Sequence, residues 1–386
     1  MRPLTSRSRT KEAAENPATS VWSRSKNAPI FGPLGPFRIS LVNRVCKPIT
    51  RQDIARYPDT PIPKELATRS PWRTPMPRPL RFGVTLPQIK RTWHEASTAA
   101  IEFDRLGYDS LWVCDHLYGV PAPQLPIMEA WTELAAVAAI TKRAKLGTLV
   151  TPPFFRNPAV LANQIATIDQ IANGRVIAGL GAGWFPPEYE QTGCSFPGTR
   201  ERLRALEEMV EILKRMWTQE KATFAGQFFS VQDALCEPKP ATPPEILIGG
   251  GGEKVLMGIA ARHADTWNNM AVFQADLPKK VEALTKRCEE AGRDPASIEI
   301  SQQCVVVIGE DDATGLAALE KAKKVYGGHM GSALEEHGIW GSPERVIEGI
   351  ERHRALGVSL FVIEFFGRDT REPAQLFAET VMRHFA

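Results

Sequence analysis

From residue 80 onward the chain alternates between two hydrophobic periods. Short apolar runs four to twelve residues long are each followed by a longer segment whose apolar positions recur at helical spacing. Strands are expected at Leu80–Pro87, Ser110–His116, Ala144–Val150, Arg175–Gly183, Glu245–Gly250, Asp265–Met270, Ile298–Gly309 and Ser359–Phe366. Helices are expected at Trp93–Leu106, stopped by Gly107, then Glu129–Thr141, Pro158–Ala172, Arg200–Trp217, Glu253–Ala264, Pro278–Ala291, Ala313–Tyr326 and Pro343–Leu356, with a final helix after the last strand. In Arg200–Trp217, the residues Leu203, Leu206, Met209, Val210, Leu213 and Trp217 share one stripe, the mark of a core-facing helix. The stretch between Arg175–Gly183 and that helix reads as a long loop, and "FAGQFFSVQDALCEPKP" as a hairpin-like insertion.

Continuous apolar strands covered by helices imply a parallel sheet. Eight such units over about 300 residues fit a closed (β/α)8 TIM barrel with an insertion, an α/β fold of one domain. The rival is a doubly wound sheet, supported by "GLGAG" after the fourth strand. A dinucleotide fingerprint requires a helix to open at those glycines. Here "WFPPEYE" follows, with two prolines, so the barrel is preferred.

Residues 1–75 differ from the rest. They are rich in Pro, Arg, Ser and Thr and have no sustained apolar period, which predicts a disordered or extended arm before a catalytic domain at 76–386. Residues 1–78 hold 15 Lys/Arg against 5 Asp/Glu, and the remainder 32 against 39. The body is therefore mildly acidic, with no reason to expect a nucleic-acid partner. A transit segment and a true start at Met76 are the two other readings of the arm. No apolar run approaches the roughly 20 residues that span a bilayer, and no membrane partner is expected. The six cysteines form no CxxC pair or metal-ligand spacing, and a reducing, cytoplasmic setting follows from that usage.

In a barrel of this kind, chemistry gathers at the C-terminal ends of the strands. Those ends carry Pro87-Gln88, Asp115-His116, Thr148 to Thr151, Gly181 to Trp184, the glycines Gly249, Gly250, Gly251 and Gly252, Trp267 to Asn269, and Glu364. His116 is the one histidine at an expected strand top, suited to passing a proton near neutral pH. Asp115 is placed to orient that imidazole, to accept from a cofactor N–H, or to cap the strand end. "IGGGGEKV" offers backbone N–H groups without side chains, a setting that suits a phosphate. In "LGTLVTPPFFRNP" the double proline ends sheet pairing at the barrel mouth, and Arg156 beyond it is either a second phosphate contact or a surface ion pair. No HExxH or clustered ligand set predicts a metal, and no GxSxG predicts a serine hydrolase. His353 reads as solvated on its helix. His329 and His337 flank an irregular stretch that is either a substrate lid or a plain loop.

The stretches "GYDSLWVCDHLYG", "KLGTLVTPPFFRNPAVLANQIATIDQIANGRVIAGLGAGW", "PPEILIGGGGE" and "ARHADTWN" occur in one order over residues 80 to about 370. Together they resemble the luciferase-like monooxygenase superfamily, and most closely its branch dependent on the deazaflavin F420. The resemblance implies a TIM barrel with an insertion and an oxidoreductase that exchanges a hydride between F420 and a small-molecule substrate, often as a homodimer. It assigns cofactor contact to Asp115 and proton donation to His116. It places a non-proline cis peptide at Leu149-Val150 behind the ring, and the cofactor phosphate at Gly249–Gly252 and Arg156. Thr148, Thr151, Gly183 and Trp184 complete the expected cofactor-binding set. The alternatives are an FMN-dependent monooxygenase using O2 and a non-catalytic flavin-binding barrel. Two departures argue against a sugar-phosphate reaction. Trp184 stands where F420-dependent glucose-6-phosphate dehydrogenases carry a glutamate base, with Glu188 coming only after two prolines. The loop after His116 reads "LYGVP" where those enzymes have a tryptophan. A bulky Trp184 suggests an apolar substrate or a cover over the ring.

Overall fold

The computed structural model describes residues 78–120, 123–326, 334–367 and 369–386. The expected arm at 1–75 and half of the expected lid stretch, including His329, lie outside them.

Eight parallel strands close into a ring. In order they are β1 (Arg81–Thr85), β2 (Ser110–Val113), β3 (Lys145–Thr148), β4 (Val176–Leu180), β7 (Glu245–Gly249), β8 (Thr266–Asn269), β9 (Glu299–Ile308) and β11 (Val358–Phe365), which returns to β1. The antiparallel pair β5 (Ala222–Ala225) and β6 (Ser230–Ala234) is the expected hairpin insertion. The short β10 (Ile339–Gly341) pairs with the last residues of β9. β10 falls in the stretch expected to be irregular, because three residues are too few to show a period.

The helices are α1 (Trp93–Leu106), α2 (Ala130–Ile140), α3 (Pro158–Ala172), α4 (Pro186–Thr192), α5 (Thr199–Thr218), α6 (Val255–His263), α7 (Leu277–Glu290), α8 (Asp312–Tyr326), α9 (Leu334–His337), α10 (Pro343–Arg354) and α11 (Arg371–Phe377). Their starts follow local chemistry. Thr92 and Glu95 cap α1 reciprocally, and Gly107 ends it in the left-handed region at φ 95°. Asn157 caps α3 with Pro158 at its first position. The apolar stripe of α5 is buried, with Leu206, Met209, Val210, Leu213 and Trp217 all inside the core.

The bore is filled by side chains. Trp112, Leu149, Ile177, Leu247, Leu360 and Val362 pack together, and Trp112 donates its indole N–H to Ser110 Oγ at 2.8 Å. The indole needs glycine beside it: a Cβ on Gly83 or on Gly147 would come within 2.5 Å of its ring atoms. This core closes one end of the barrel, so the free space lies at the other, beyond the strand C-termini.

Two expectations are corrected. The loop after β4 contains a helix, α4. Pro186 and Pro187 start it, because proline's fixed φ suits a first helical turn and its missing N–H costs nothing there. His353 is buried, not solvated. Its Nδ1 lies 2.7 Å from Gly349 O, and burial lowers its pKa to about 4.

Candidate functional site

Strand β2 ends at Val113, and the next three residues carry the chain over the barrel rim. Cys114 is tied down by Gln88, whose side chain accepts from Cys114 N at 2.5 Å and donates to Cys114 O at 3.2 Å. Fixing that peptide sends Asp115 and His116 to different places.

Asp115 is buried in the wall. Arg156 grips it with two bonds, Nη1 to Oδ2 at 2.6 Å and Nη2 to Oδ1 at 3.0 Å. The Thr151 hydroxyl donates to Oδ2 at 2.6 Å and itself accepts from Trp131 Nε1 at 3.0 Å. Arg156 also bonds Glu129, which caps α2 through Thr132 N. Burial pushes the Asp115 carboxyl above its usual range, and the Arg156 charge opposes that push. A bidentate guanidinium is a strong partner for a buried carboxylate. Of the two sequence readings of Arg156, the geometry is that of an ion pair, and a partly buried one. Thr148 lies in the same wall, donating to Gly179 O at 2.7 Å.

His116 faces the other way. Its Nδ1 lies 2.7 Å from Glu188 Oε1, and Glu188 Oε2 accepts from Leu117 N at 2.5 Å. Glu188 is only 1% exposed, presented from the first turn of α4. The carboxylate against the imidazole is Glu188, so of the three readings of Asp115 the one that orients His116 is not met: both Asp115 oxygens are occupied by Arg156 and Thr151. The half-exposed Trp184 meets the imidazole edge-on, with ring centroids 5.9 Å apart.

A cleft of about 180 Å³ opens beside these groups. Of the expected site residues, Asp115, His116, Leu149, Val150, Gly183, Trp184, Gly249 and Gly250 line it. Thr148, Thr151 and Arg156 stand in the wall behind, and Gly251 and Gly252 continue the loop past the lining. Phe155, Glu188, Tyr189, Leu256, Asn268, Met270 and Gln303 also line the cleft and were not foreseen as site residues. The signal for Glu188 was present: a glutamate directly after a proline pair that opens a helix. Among the described residues, no lysine or arginine is in the lining.

The Leu149-Val150 peptide is cis. Val150 presses against two strands at once, so that a Cβ on Gly249 would fall 2.8 Å from Val150 Cγ1. One side of the cleft is thus apolar and small-residued, a surface that fits a flat ring. The glycine loop beyond is braced from beneath. Lys280 Nζ donates to Gly251 O at 2.8 Å and to Glu253 Oε1 at 2.9 Å, and lies 5.0 Å from the centre of the Phe273 ring. The amide N–H groups of Gly251 and Gly252 meet no acceptor among the described residues, which fits an anionic group there.

A larger open groove of about 790 Å³ lies between α1, α11 and the end of β9. Arg91 pairs there with Glu95 and Arg371 with Asp369, and among the described residues it holds no imidazole–carboxylate ion pair. The smaller cleft, by contrast, brings Glu188 together with eight of the expected site residues, His116 among them. Among the described residues no group of three or more His, Cys, Asp or Glu is placed to hold a metal, and no helix is long and apolar enough to cross a membrane.

Three comparisons bear on this site. A family model described as luciferase-like monooxygenase matches residues 78–337. An F420-dependent glucose-6-phosphate dehydrogenase of Kineococcus radiotolerans is 32% identical over 62% of this chain and 71% of its own length. An F420-dependent hydroxymycolic acid dehydrogenase of Mycobacterium tuberculosis is 30% identical over 65% of this chain and 70% of its own. Among solved structures, an F420-dependent secondary alcohol dehydrogenase in complex with an F420-acetone adduct superposes with a TM-score of 0.68 at 22% identity, covering 78% of this chain and 98% of that one.

Proposed function

The chain belongs to the luciferase-like monooxygenase family, and from that premise we propose that it is an F420-dependent oxidoreductase acting on a small, uncharged organic substrate. The observation that carries this reading is the meeting of His116, Leu149-Val150 and the glycine loop at one cleft on the barrel rim. Bound there, F420 supplies hydride exchange at a ring carbon, chemistry that no side chain provides.

The protein's part is to hold and orient. Leu149 and Val150 back the ring, and the small residues Ala182, Gly183 and Gly249 leave room for it. The free amides of Gly251 and Gly252 receive the cofactor phosphate, on a loop kept in place by Lys280. His116 exchanges the proton that accompanies hydride movement, at a nitrogen facing away from Glu188. Trp184 and Phe155 keep the substrate side apolar.

The sugar phosphate of the Kineococcus relative is not carried over to this chain. The cleft lining offers no cation to a phosphorylated substrate, and the indole of Trp184 takes up space beside His116. Titrating the purified protein with F420 and with FMN tests the proposal. Tight F420 binding with turnover of uncharged alcohols or carbonyl compounds is expected. Tight FMN binding without F420 binding points to the monooxygenase alternative, and cofactor binding with no turnover on a broad substrate panel points to a carrier.

A further inference from the structure

We infer that Asn268 and Gln303 are the substrate-selecting wall of the cleft, and that they bind a neutral amide edge of the substrate, a carbonyl beside an N–H. That the ligand is a substrate rests on the F420 reading above; the match between the polar groups does not.

The barrel mouth is divided by chemistry. The ends of β3, β4 and β7 bring Leu149, Val150, Gly183, Gly249 and Gly250 to the cleft, the side assigned above to the ring. In the closed order of strands, β9 stands four places from β3 in either direction, so it faces that side across the bore. There the lining turns polar. Asn268 of β8 pairs in register with Ser301 of β9, and Gln303 is the next residue of β9 on the same face. Asn268 and Gln303 both line the cleft, and they are only 1% and 8% exposed. Asn268 Oδ1 accepts from Ser301 Oγ at 2.9 Å, and its Nδ2 is left beside Gly249, 3.9 Å from where a Cβ on that glycine would stand. Neither that Nδ2 nor the Gln303 carboxamide has a hydrogen-bond partner among the described residues, and neither is sealed from the cleft. Glu364, on the neighbouring β11, accepts from the Tyr326 hydroxyl and stays out of the lining.

Nearly buried amide ends without partners are costly, so the wall is built for an occupant. Its chemistry follows from the groups on offer: N–H from Asn268, and N–H and C=O side by side from Gln303. A carbonyl oxygen has two lone pairs and accepts both N–H bonds, while an N–H on the same edge answers Gln303 Oε1. One hydroxyl oxygen cannot meet both ends of a carboxamide at good angles, because those ends point along nearly parallel lines. A ketone leaves Gln303 Oε1 unmet, and a carboxylate would set its charge against that oxygen. The fitting groups are a primary amide and a lactam, whose N–H and C=O share an edge. Trp184 and Phe155 remain the apolar sides of the space between the ring and this wall.

Two rings of one size serve as probes: 2-piperidinone, with a C=O and an N–H on one edge, and cyclohexanone, with the C=O alone. Their dissociation constants are read by ligand-observed NMR titration on the full chain, with and without saturating F420. The wild-type protein is expected to hold 2-piperidinone about 10-fold more tightly than cyclohexanone. Gln303→Met keeps the length of the side chain and removes both polar ends. The preference is expected to vanish in that variant, with F420 affinity unchanged. Equal binding of the two rings by wild-type protein overturns the inference whether or not the variant folds, and so does a preference that survives in a folded Gln303→Met protein. A fall in F420 affinity in Gln303→Met assigns the residue to the cofactor and also overturns it. Failure of F420 to bind the wild-type protein sinks the cofactor reading alone, because the preference for the lactam is read without it as well.

Discussion

Asp115 and His116 are neighbours in the chain, and each meets an oppositely disposed partner, yet one pair is shut away and the other opens on the cleft. Asp115 is held by a guanidinium that is itself shared with Glu129, and every strong acceptor in that group is occupied. His116 is held on one side only, leaving its second nitrogen without a protein partner among the described residues. The difference teaches that a charged pair near an active rim does one of two jobs. A pair satisfied on all sides fixes the wall; a pair satisfied on one side presents a reactive atom.

The largest effect that bears on this contrast is on catalysis. His116→Asn is expected to lower turnover by about 10²- to 10⁴-fold while F420 affinity is kept, read by steady-state kinetics and a binding titration. Parallel loss of cofactor binding would mean that His116 belongs to the wall after all. Next comes Asp115→Ala, which leaves Arg156 partly buried without its bidentate partner. A stability loss of about 3–5 kcal/mol in urea unfolding is expected. A loss below about 1 kcal/mol, the range of exposed pairs, would erase the distinction between the two stations.

A third carboxylate sharpens the comparison because it has no cation beside it among the described residues. Glu133 is buried, accepts only from Gln88 Nε2 at 3.0 Å, and has one oxygen without a partner. Burial lifts its pKa to about 7. A folded-state value raised above the ordinary one means that the acid form is favoured on folding. That contribution is full below about pH 4.5 and is lost as pH rises through 7. Glu133→Gln is expected to remove this decline, worth about 3 kcal/mol, when stability is followed from pH 4.5 to 8. An unchanged slope in the variant would assign the decline to other groups. The smallest effect belongs to a pair out in solvent. Arg105→Ala breaks its bond to Glu102 on α1, and no resolvable shift is expected in thermal unfolding, since the pair is solvated and screened.

Much of this was legible beforehand. Most of the eight barrel strands announce themselves as short, mainly apolar runs set between helix-period segments, whereas β8, Thr266–Asn269, is polar but for Trp267 and shows only by its place in the alternation. The strand ends then nominate Asp115, His116 and the glycine loop by position alone. The cis bond at Leu149-Val150 came from family resemblance and from nothing in the local composition. What stayed hidden depends on partners distant in sequence. Arg156 could be placed beyond a strand, but its choice of Asp115 and Glu129 is set by how α2 and β3 pack. Glu188 lies 72 positions from His116, and a proline pair was read as a loop where it in fact opened a helix. His353 was misjudged because charged residues flank it. Val346, Gly349, Ile350 and His353 share one buried face, a spacing of three, four and seven that was there to be counted.

Trp184 stands at the edge of the cleft, 46% exposed, with its indole against the imidazole of His116. That placement makes the protein its own optical probe. Indole emission is quenched by a protonated imidazole at van der Waals range and drained by energy transfer to a nearby tricyclic chromophore. The chain has nine tryptophans, so it is the part of the emission that Trp184→Phe removes that reports the arrival of the cofactor, with no label attached.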